Sequence, residues 1–284
     1  MYYHNREGRK MIKRSVVLVC LLLSVSVLLS PLHAAIAVND EPSTEHLAKQ
    51  LANPVASLIS VPFQNNFESG LGAGQNGTRY TLKIQPVIPA SLNKDWNIIT
   101  RPIVPFINQS NVIGTTSQNG LSDSQLQIFF SPKQPGHDGL IWGAGPVFLI
   151  PTATNPFIGT EKWGVGPSAV VLKQSGPWTT GLLANQIWSV AGSNSRNDIS
   201  LAYFQPFASH SNKHGFTFSF SSETSYDWYG KQWTIPLICG VSQILPIAGH
   251  LVSFGASGIY HLESPTNTSK WAGRISITLL FPEK

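Results

Sequence analysis

The chain of 284 residues carries 19 basic and 14 acidic residues, and its charged share of 12% is about half of what soluble domains usually have. The first 37 residues hold five of the basic residues and one of the acidic ones, so the remainder has 14 basic and 13 acidic residues. This near balance excludes a basic nucleic-acid-binding surface, and the lone Cys239 after residue 37 excludes an internal disulfide.

The chain begins with the pattern of a signal peptide. Lys13 and Arg14 precede an apolar run from Val16 to Leu29, and Ala35-Ile36-Ala37 fits a small-residue cleavage site. The alternative is a membrane anchor, but the run is shorter than the roughly 20 residues of a spanning helix, and Pro31 closes it. We therefore predict a signal peptide with its leader over residues 1–37 and an exported mature protein.

Residues 38–54 form a segment of their own before the first predicted strand. Leu47, Ala48 and Leu51 have the spacing of one helix face, Thr44 is the predicted N-cap, and Pro54 ends the pattern. The segment is predicted to be a short periplasmic helix that touches the mouth of the next domain. A leader without fixed structure is the alternative.

From residue 55 onward, apolar and polar residues alternate in segment after segment. In Arg79–Pro89, for example, Tyr80, Leu82 and Ile84 fall on one face, while Arg79, Thr81 and Lys83 fall on the other. A period of two is typical of a β-strand with two different surroundings. Four segments show this alternation clearly: Arg79–Pro89, Phe216–Glu223, Val252–Glu263 and Trp271–Phe281. Eight weaker segments fill the gaps and bring the total to twelve: Val55–Asn66, Trp96–Ile107, Leu121–Ser131, Leu140–Pro151, Lys162–Lys173, Trp178–Val190, Asp198–His210 and Gln232–Ile244.

Together these segments predict an all-β fold, a transmembrane antiparallel up-and-down β-barrel of about 12 strands over residues 55–284. Lipid offers no hydrogen-bond partners, so a sheet can cross a membrane only as a closed barrel, and bacterial barrels have even strand numbers. The tryptophans lie near predicted strand ends, where they resemble the aromatic girdles of such barrels; a soluble sandwich core is the alternative. They are Trp96, Trp142, Trp163, Trp178, Trp188, Trp228, Trp233 and Trp271.

Six prolines inside the predicted strands conflict with a regular ladder, because proline has no N–H to donate. Bulges in the wall or a locally unpaired opening would each resolve this conflict. The residues are Pro86, Pro102, Pro146, Pro167, Pro206 and Pro236.

Polar residues on the inward faces are the candidate site. They either line a solute path and set its charge preference or pair with one another in a filled interior. The candidates are Arg79, Lys83, Gln85, Arg101, Asp123, Gln125, Gln127, Glu223, His261, Glu263 and Arg274. No metal-ligand or cofactor motif is present in the sequence, so no metal and no cofactor are predicted.

An outer-membrane lipase is the minor alternative. His210-Ser211-Asn212 places a base, a hydroxyl and an amide side by side, but adjacent strand residues point to opposite faces. The sequence also has no G-x-S-x-G elbow, so no catalytic residue and no enzyme activity are predicted.

With these segments in view, the chain resembles the bacterial outer-membrane family of meta-pathway phenol-degradation proteins, whose relatives are often mislabelled as neuromedin U. The resemblance covers nearly all of the mature chain. It is carried by LAKQLANP (47–54), ISVPFQNN (59–66), RYTLKIQPVIP (79–89), FFSPK (129–133), WGAGPVFLIPTAT (142–154), EKWGVGPSAV (161–170), GPWTTGLLANQIWSVAG (176–192), QPF (205–207), SYDW (225–228) and TLLFP (278–282).

The resemblance implies a transporter for small apolar or aromatic compounds in the outer membrane of a Gram-negative bacterium. Its expected partners are outer-membrane lipid, a small-molecule solute and the barrel-assembly machinery during biogenesis. One departure is the tail Pro282-Glu283-Lys284, because many barrels end on the aromatic residue itself. A closed structural or adhesin-type barrel without transport is the alternative function.

Overall fold

The computed structural model describes residues 43–282, and the predicted signal peptide lies outside the described residues. The described chain begins with a helix, α1 (Thr44–Leu51). The predicted N-cap was wrong by one residue, because it is the Ser43 hydroxyl that accepts a hydrogen bond from the His46 amide. The Thr44 hydroxyl donates instead to the carbonyl of Lys213, which ties α1 to a distant turn. Over residues 43–282, no helix has the length and apolarity needed to cross a membrane.

Fifteen β-segments follow α1, and a single 3-10 turn (His137–Gly139) precedes the seventh. The segments are β1 (Ile59–Leu71), β2 (Gly77–Ile84), β3 (Ile88–Ser91), β4 (Trp96–Ser110), β5 (Ser117–Leu121), β6 (Ser124–Pro132), β7 (Leu140–Ile150), β8 (Lys162–Ser175), β9 (Trp178–Gly192), β10 (Ser200–Ser211), β11 (Phe216–Ser222), β12 (Thr224–Asp227), β13 (Gln232–Ile247), β14 (His250–Glu263) and β15 (Trp271–Phe281).

These segments make one closed wall of 12 antiparallel strands, which confirms the predicted fold class. Three wall strands are each interrupted once, so β2 with β3, β5 with β6, and β11 with β12 count as one strand apiece. The wall closes where β1 pairs with β15, from Ile59 opposite Phe281 to Glu68 opposite Ala272. We call the end that carries α1 the helix end and the opposite end the loop end.

The outer surface of the wall is apolar and rich in aromatic residues. Phe216, Phe218 and Phe220 alternate along β11 and are all exposed, as the period of two predicted. The tryptophans lie near strand ends in two groups: Trp96, Trp142 and Trp178 at the helix end, and Trp163, Trp188, Trp228, Trp233 and Trp271 at the loop end. The rings of Trp96 and Trp142 pack edge to face, 5.8 Å between centroids.

The wall accommodates Pro86, Pro102 and Pro236 by two devices. Pairing between β2 and β4 stops at Ile84 opposite Val104 and resumes in β3 at Ile88 opposite Thr100, so Pro86 and Pro102 face each other where the ladder is interrupted. At Pro236 the register between β13 and β14 shifts, which is the signature of a bulge. A missing donor is tolerated at both places because the ladder is irregular there. Pro146 lies opposite Pro167, and Pro206 lies opposite Leu182.

Apolar packing fills part of the helix end of the barrel. Leu47 and Ala48 of α1 are buried against Leu58, Ile244 and Leu280. The segment that follows α1 continues into the barrel, where Val55 packs in a second cluster of inward side chains from β4, β6, β8 and β9. That cluster consists of Val55, Ile99, Phe129, Val170, Leu172 and Leu183.

Candidate functional site

Two cavities formed by the described residues lie in the barrel interior. The larger, of about 490 Å³, reaches the segment Gln50–Pro54 and therefore lies toward the helix end. The smaller, of about 210 Å³, is lined by Glu68, Thr234 and His261 and lies toward the loop end. We call them the helix-side cavity and the loop-side cavity. Three charged residues line both: Lys83, Glu223 and Arg274.

These three residues form an ion triad where the two cavities meet. Arg274 Nη1 lies 2.7 Å from Glu223 Oε1, and Lys83 Nζ lies 3.5 Å from Glu223 Oε2. Lys83 belongs to the second wall strand and Glu223 to the ninth, so their ion pair crosses the lumen. Arg274 Nε also donates to Asn66 Oδ1, at 2.7 Å, which orients the guanidinium.

Glu223 reaches this position because it is the single residue between β11 and β12. The ladder runs without interruption on β11 up to Ser222 opposite Leu237, and β12 pairs with β13 from Ser225 onward. The carboxylate therefore comes from a point where the ladders are interrupted, although β11 and β12 keep the same two neighbours, β10 and β13. Such irregularities are a common way of aiming a functional side chain.

Arg79 lies four residues before Lys83 on the same face of β2, but it does not line either cavity. Its Nε donates to Gln109 Oε1 at 2.8 Å, and its Nη1 lies 3.9 Å from Glu68 Oε2. Gln109 in turn donates to Gln118 Oε1 at 2.8 Å. Arg79 is thus part of a chain of side-chain hydrogen bonds along the inner wall near the loop end.

Asp123 lines the helix-side cavity, but its carboxylate is engaged by a loop. It accepts hydrogen bonds from the Thr160 amide (2.6 Å), the Thr160 hydroxyl (2.5 Å) and the Ala153 amide (3.3 Å). These donors belong to the connection between β7 and β8. Asp123 therefore holds that connection against the interruption between β5 and β6.

Arg101 lines the helix-side cavity with Gln85, Gln125 and Gln127. Its Nη1 donates to Gln127 Oε1 at 3.2 Å, and the two residues face each other across β4 and β6. Its Nε is buried without a hydrogen-bond partner. No carboxylate within residues 43–282 forms an ion pair with it.

The remaining two candidates lie toward the loop end. His261 is buried, lines the loop-side cavity, and has an Nδ1 without a hydrogen-bond partner. Glu263 is exposed at the last residue of β14 and lines neither cavity. Of the eleven predicted residues, all but Arg79 and Glu263 are brought together around the two cavities.

The prediction missed several residues of the same cavities. Asn66 orients Arg274, and Tyr203, whose hydroxyl donates to Gln205 Oε1 at 3.2 Å, lines the helix-side cavity with Asn185. The alternation in β1, β9 and β10 could have found them, since each lies on an inward face. The alternation in these strands is weak in the sequence, so it did not show which of their residues face the interior.

Two ion pairs hold the rim at the loop end. Arg196 lies 2.6 Å from Glu161 and also donates to the carbonyl of Pro156. A hydrogen bond from Arg196 lowers the pKa of the Glu161 carboxyl. A hydrogen bond from Lys162, at 2.8 Å, likewise lowers the pKa of Asp198. Both carboxyls thus stay ionised at neutral pH and keep their partners.

The residues of the lipase alternative do not converge. The Ser211 hydroxyl is buried and is hydrogen-bonded to the Thr217 hydroxyl at 2.9 Å. His210 lies on the other face, where its ring packs against Trp178 at 4.9 Å between centroids. The part of the chain that the structure describes contains no cluster of three or more His, Cys, Asp or Glu residues that could hold a metal ion.

No family model and no curated protein sequence matches the chain. Among solved structures, it is similar to the COG4313 outer membrane channel from Pseudomonas putida F1, with 14% identity and a TM-score of 0.62 over 87% of this chain and 100% of that chain. It is also similar to the NanC porin, with 10% identity and a TM-score of 0.47 over 78% of this chain and 100% of that chain. At 14% identity, the likeness to the COG4313 channel shows a shared fold alone.

Proposed function

We propose that this chain is a passive channel for small solutes in a bacterial outer membrane, to which it is exported through the signal peptide predicted over residues 1–37. The observation that carries the proposal is the pair of cavities that meet at the ion triad inside a closed wall. The apolar outer surface with tryptophans near both ends of the wall suits a bilayer. The similar fold of an outer membrane channel supports the same role.

In this proposal the path runs from the loop-side cavity past the ion triad to the helix-side cavity. Lys83, Glu223 and Arg274 form the constriction, because the Lys83–Glu223 pair bridges opposite walls there. Gln85, Arg101, Gln125 and Gln127 line the path on the helix side. Charged side chains at a constriction act on permeating ions over short distances and so set charge preference.

The proposed solutes are small, with an apolar or aromatic part. The helix-side cavity has a mainly apolar side formed by β9 and β10 and a hydroxyl-bearing side formed by other strands. The side formed by β9 and β10 has the apolar residues Leu183, Ile187, Leu201, Tyr203 and Phe207, together with the polar Asn185, Gln205 and Ser209, and the other side includes Ser219, Ser221, Ser242, Ser253, Ser276 and Thr278. A solute with both kinds of surface finds partners on both sides. This agrees with the family that the sequence resembles.

The test is the permeability of proteoliposomes and the reversal potential of planar bilayers under a salt gradient. The purified protein is expected to admit small solutes into liposomes. Glu223→Gln leaves two cations at the constriction and is expected to shift the reversal potential toward anions; Lys83→Ala is expected to shift it toward cations. A wild-type protein that is folded but admits no solute would refute the channel.

A second candidate is a closed structural barrel without transport. It is favoured by the cluster around Val55, Ile99 and Phe129, which fills part of the helix end with tightly packed apolar side chains. Small barrels are commonly filled by side chains, and such a filling stabilises the wall. The liposome experiment separates the two candidates. A structural barrel would admit no solute, and Lys83→Ala would change its stability only.

A further inference from the structure

We propose that Arg101 is a carboxylate-binding subsite in the helix-side cavity, and that its ligand is a small monocarboxylate with an apolar body. The subsite rests on the proposed channel function, because its ligand reaches Arg101 through the lumen. The observation that motivates it is a cation that lines the cavity without an ionic partner among the described residues.

The charges of the helix-side cavity single out Arg101. Its lining contains three cations, Lys83, Arg101 and Arg274, and two carboxylates, Asp123 and Glu223. Glu223 is shared by Lys83 and Arg274. Asp123 is occupied by the hydroxyl and amide donors of Thr160 and Ala153. The cavity therefore has one positive charge in excess, and Arg101 is the cation that has no carboxylate.

The guanidinium of Arg101 also has unused hydrogen-bonding capacity. It carries five N–H groups, of which one is donated to Gln127. The Nη2 atom has no hydrogen-bond partner within residues 43–282 and, unlike Nε, it is not fully buried. The planar guanidinium binds carboxylates through parallel N–H groups, which makes arginine well suited to this anion.

The opposite wall supplies a surface for the rest of the ligand. Arg101 lies on the third wall strand, and Tyr203 and Phe207 lie on the eighth, so they face it across the lumen. Leu183 on the seventh strand extends the same apolar surface. A ligand bound at Arg101 through its carboxylate would place an apolar body against these side chains. A carboxylate alone would lack the apolar contact, and an apolar body alone would lack the contact with Arg101. The ligand class is therefore defined by both groups together.

The experiment is calorimetric titration of the folded full chain in detergent micelles at pH 7 with benzoate, benzyl alcohol and acetate. Benzoate has both parts of the ligand, benzyl alcohol lacks the charge, and acetate lacks the ring. Benzoate is expected to bind at least about tenfold more tightly than either, since each lost contact removes a factor of ten or more. Equal binding of benzyl alcohol and benzoate would overturn the proposal, as would no benzoate binding at millimolar concentration.

Arg101→Gln is expected to weaken benzoate binding at least about tenfold and to weaken acetate binding, because both use the carboxylate contact, while leaving benzyl alcohol binding unchanged. Arg101→Lys keeps the charge without the planar donor pair and is expected to fall between the two proteins; it also serves if the glutamine variant fails to fold. Lys133→Gln is the matched control, because Lys133 lies in an exposed turn and pairs with Ser91. Binding that is unchanged in both Arg101 variants would overturn the subsite.

The outcome separates this proposal from the channel itself. Liposomes that admit neutral solutes while benzoate fails to bind would leave the channel standing and remove the subsite. Benzoate binding that depends on Arg101, in a protein that admits no solute into liposomes, would leave the subsite standing and remove the channel.

Discussion

Replacing Glu223 by glutamine tests the ion triad directly. Arg274 Nη1 lies 2.7 Å from Glu223, and the Arg274 side chain is 11% exposed, so this charge-assisted hydrogen bond contributes about 1.5–3 kcal/mol to the free energy of unfolding. The Lys83 contact, at 3.5 Å with a side chain 31% exposed, adds less than about 1 kcal/mol. Glutamine keeps the shape but leaves two cations without an anion. We expect Glu223→Gln to lower the free energy of unfolding by about 2–3 kcal/mol.

The assay is reversible guanidinium unfolding of the barrel in detergent, followed by tryptophan fluorescence and analysed by midpoint and slope. Glu68→Gln is the matched control, because it removes the same charge from the same lumen. Its contact with Arg79 is 3.9 Å long, and Arg79 keeps its hydrogen bond to Gln109, so less than about 1 kcal/mol is expected to be lost. Equal losses in the two variants would refute the reasoning, because the triad would then have no special role.

Two further predictions concern the wall and its rim. Gly166→Ala is expected to destabilise the barrel by about 2 kcal/mol or more, because the new Cβ would overlap the carbonyl oxygen of Gln186. Gly258→Ala is the control and is expected to change stability little, because the space around Gly258 is open. Heat-modifiable gel migration compares the two variants, and equal stability would contradict the packing. The lowered pKa values of Glu161 and Asp198 mean that their rim contacts stabilise the fold above about pH 4 and are lost as pH falls further. Hydrogen exchange in residues 152–161 should therefore rise below that pH in the wild type but much less so in Arg196→Gln, and a rise of equal size in both proteins would count against the Arg196–Glu161 pair.

The strands themselves could be read from the sequence because alternation is a local property. The inward face of Arg79, Thr81 and Lys83 follows from a period of two, whatever the neighbouring strands do. The same reasoning correctly separated His210 from Ser211. The N-cap of α1 was missed by one residue because Ser43 and Thr44 are chemically equivalent caps, and only the contact of Thr44 with Lys213 distinguishes them.

The partners across the lumen were beyond the reach of the sequence. Whether Lys83 meets Glu223 depends on the strand number and the stagger of the whole closed wall, which no local pattern contains. The same holds for Asp123, whose carboxylate is engaged by Thr160 from another connection. Arg101 and Lys83 have the same inward orientation in the sequence pattern. Lys83 nevertheless has a carboxylate partner, whereas Arg101 has none among the described residues.

The amino-acid sequence by itself thus determined a barrel of about 12 strands and, in the strands with clear alternation, most of the side chains that face its interior, because burial of alternate residues is decided strand by strand. The tertiary structure alone decided which of those side chains pair and which cation has no carboxylate partner among the described residues. Those outcomes depend on distances between strands far apart in the chain, and closure of the wall sets these distances.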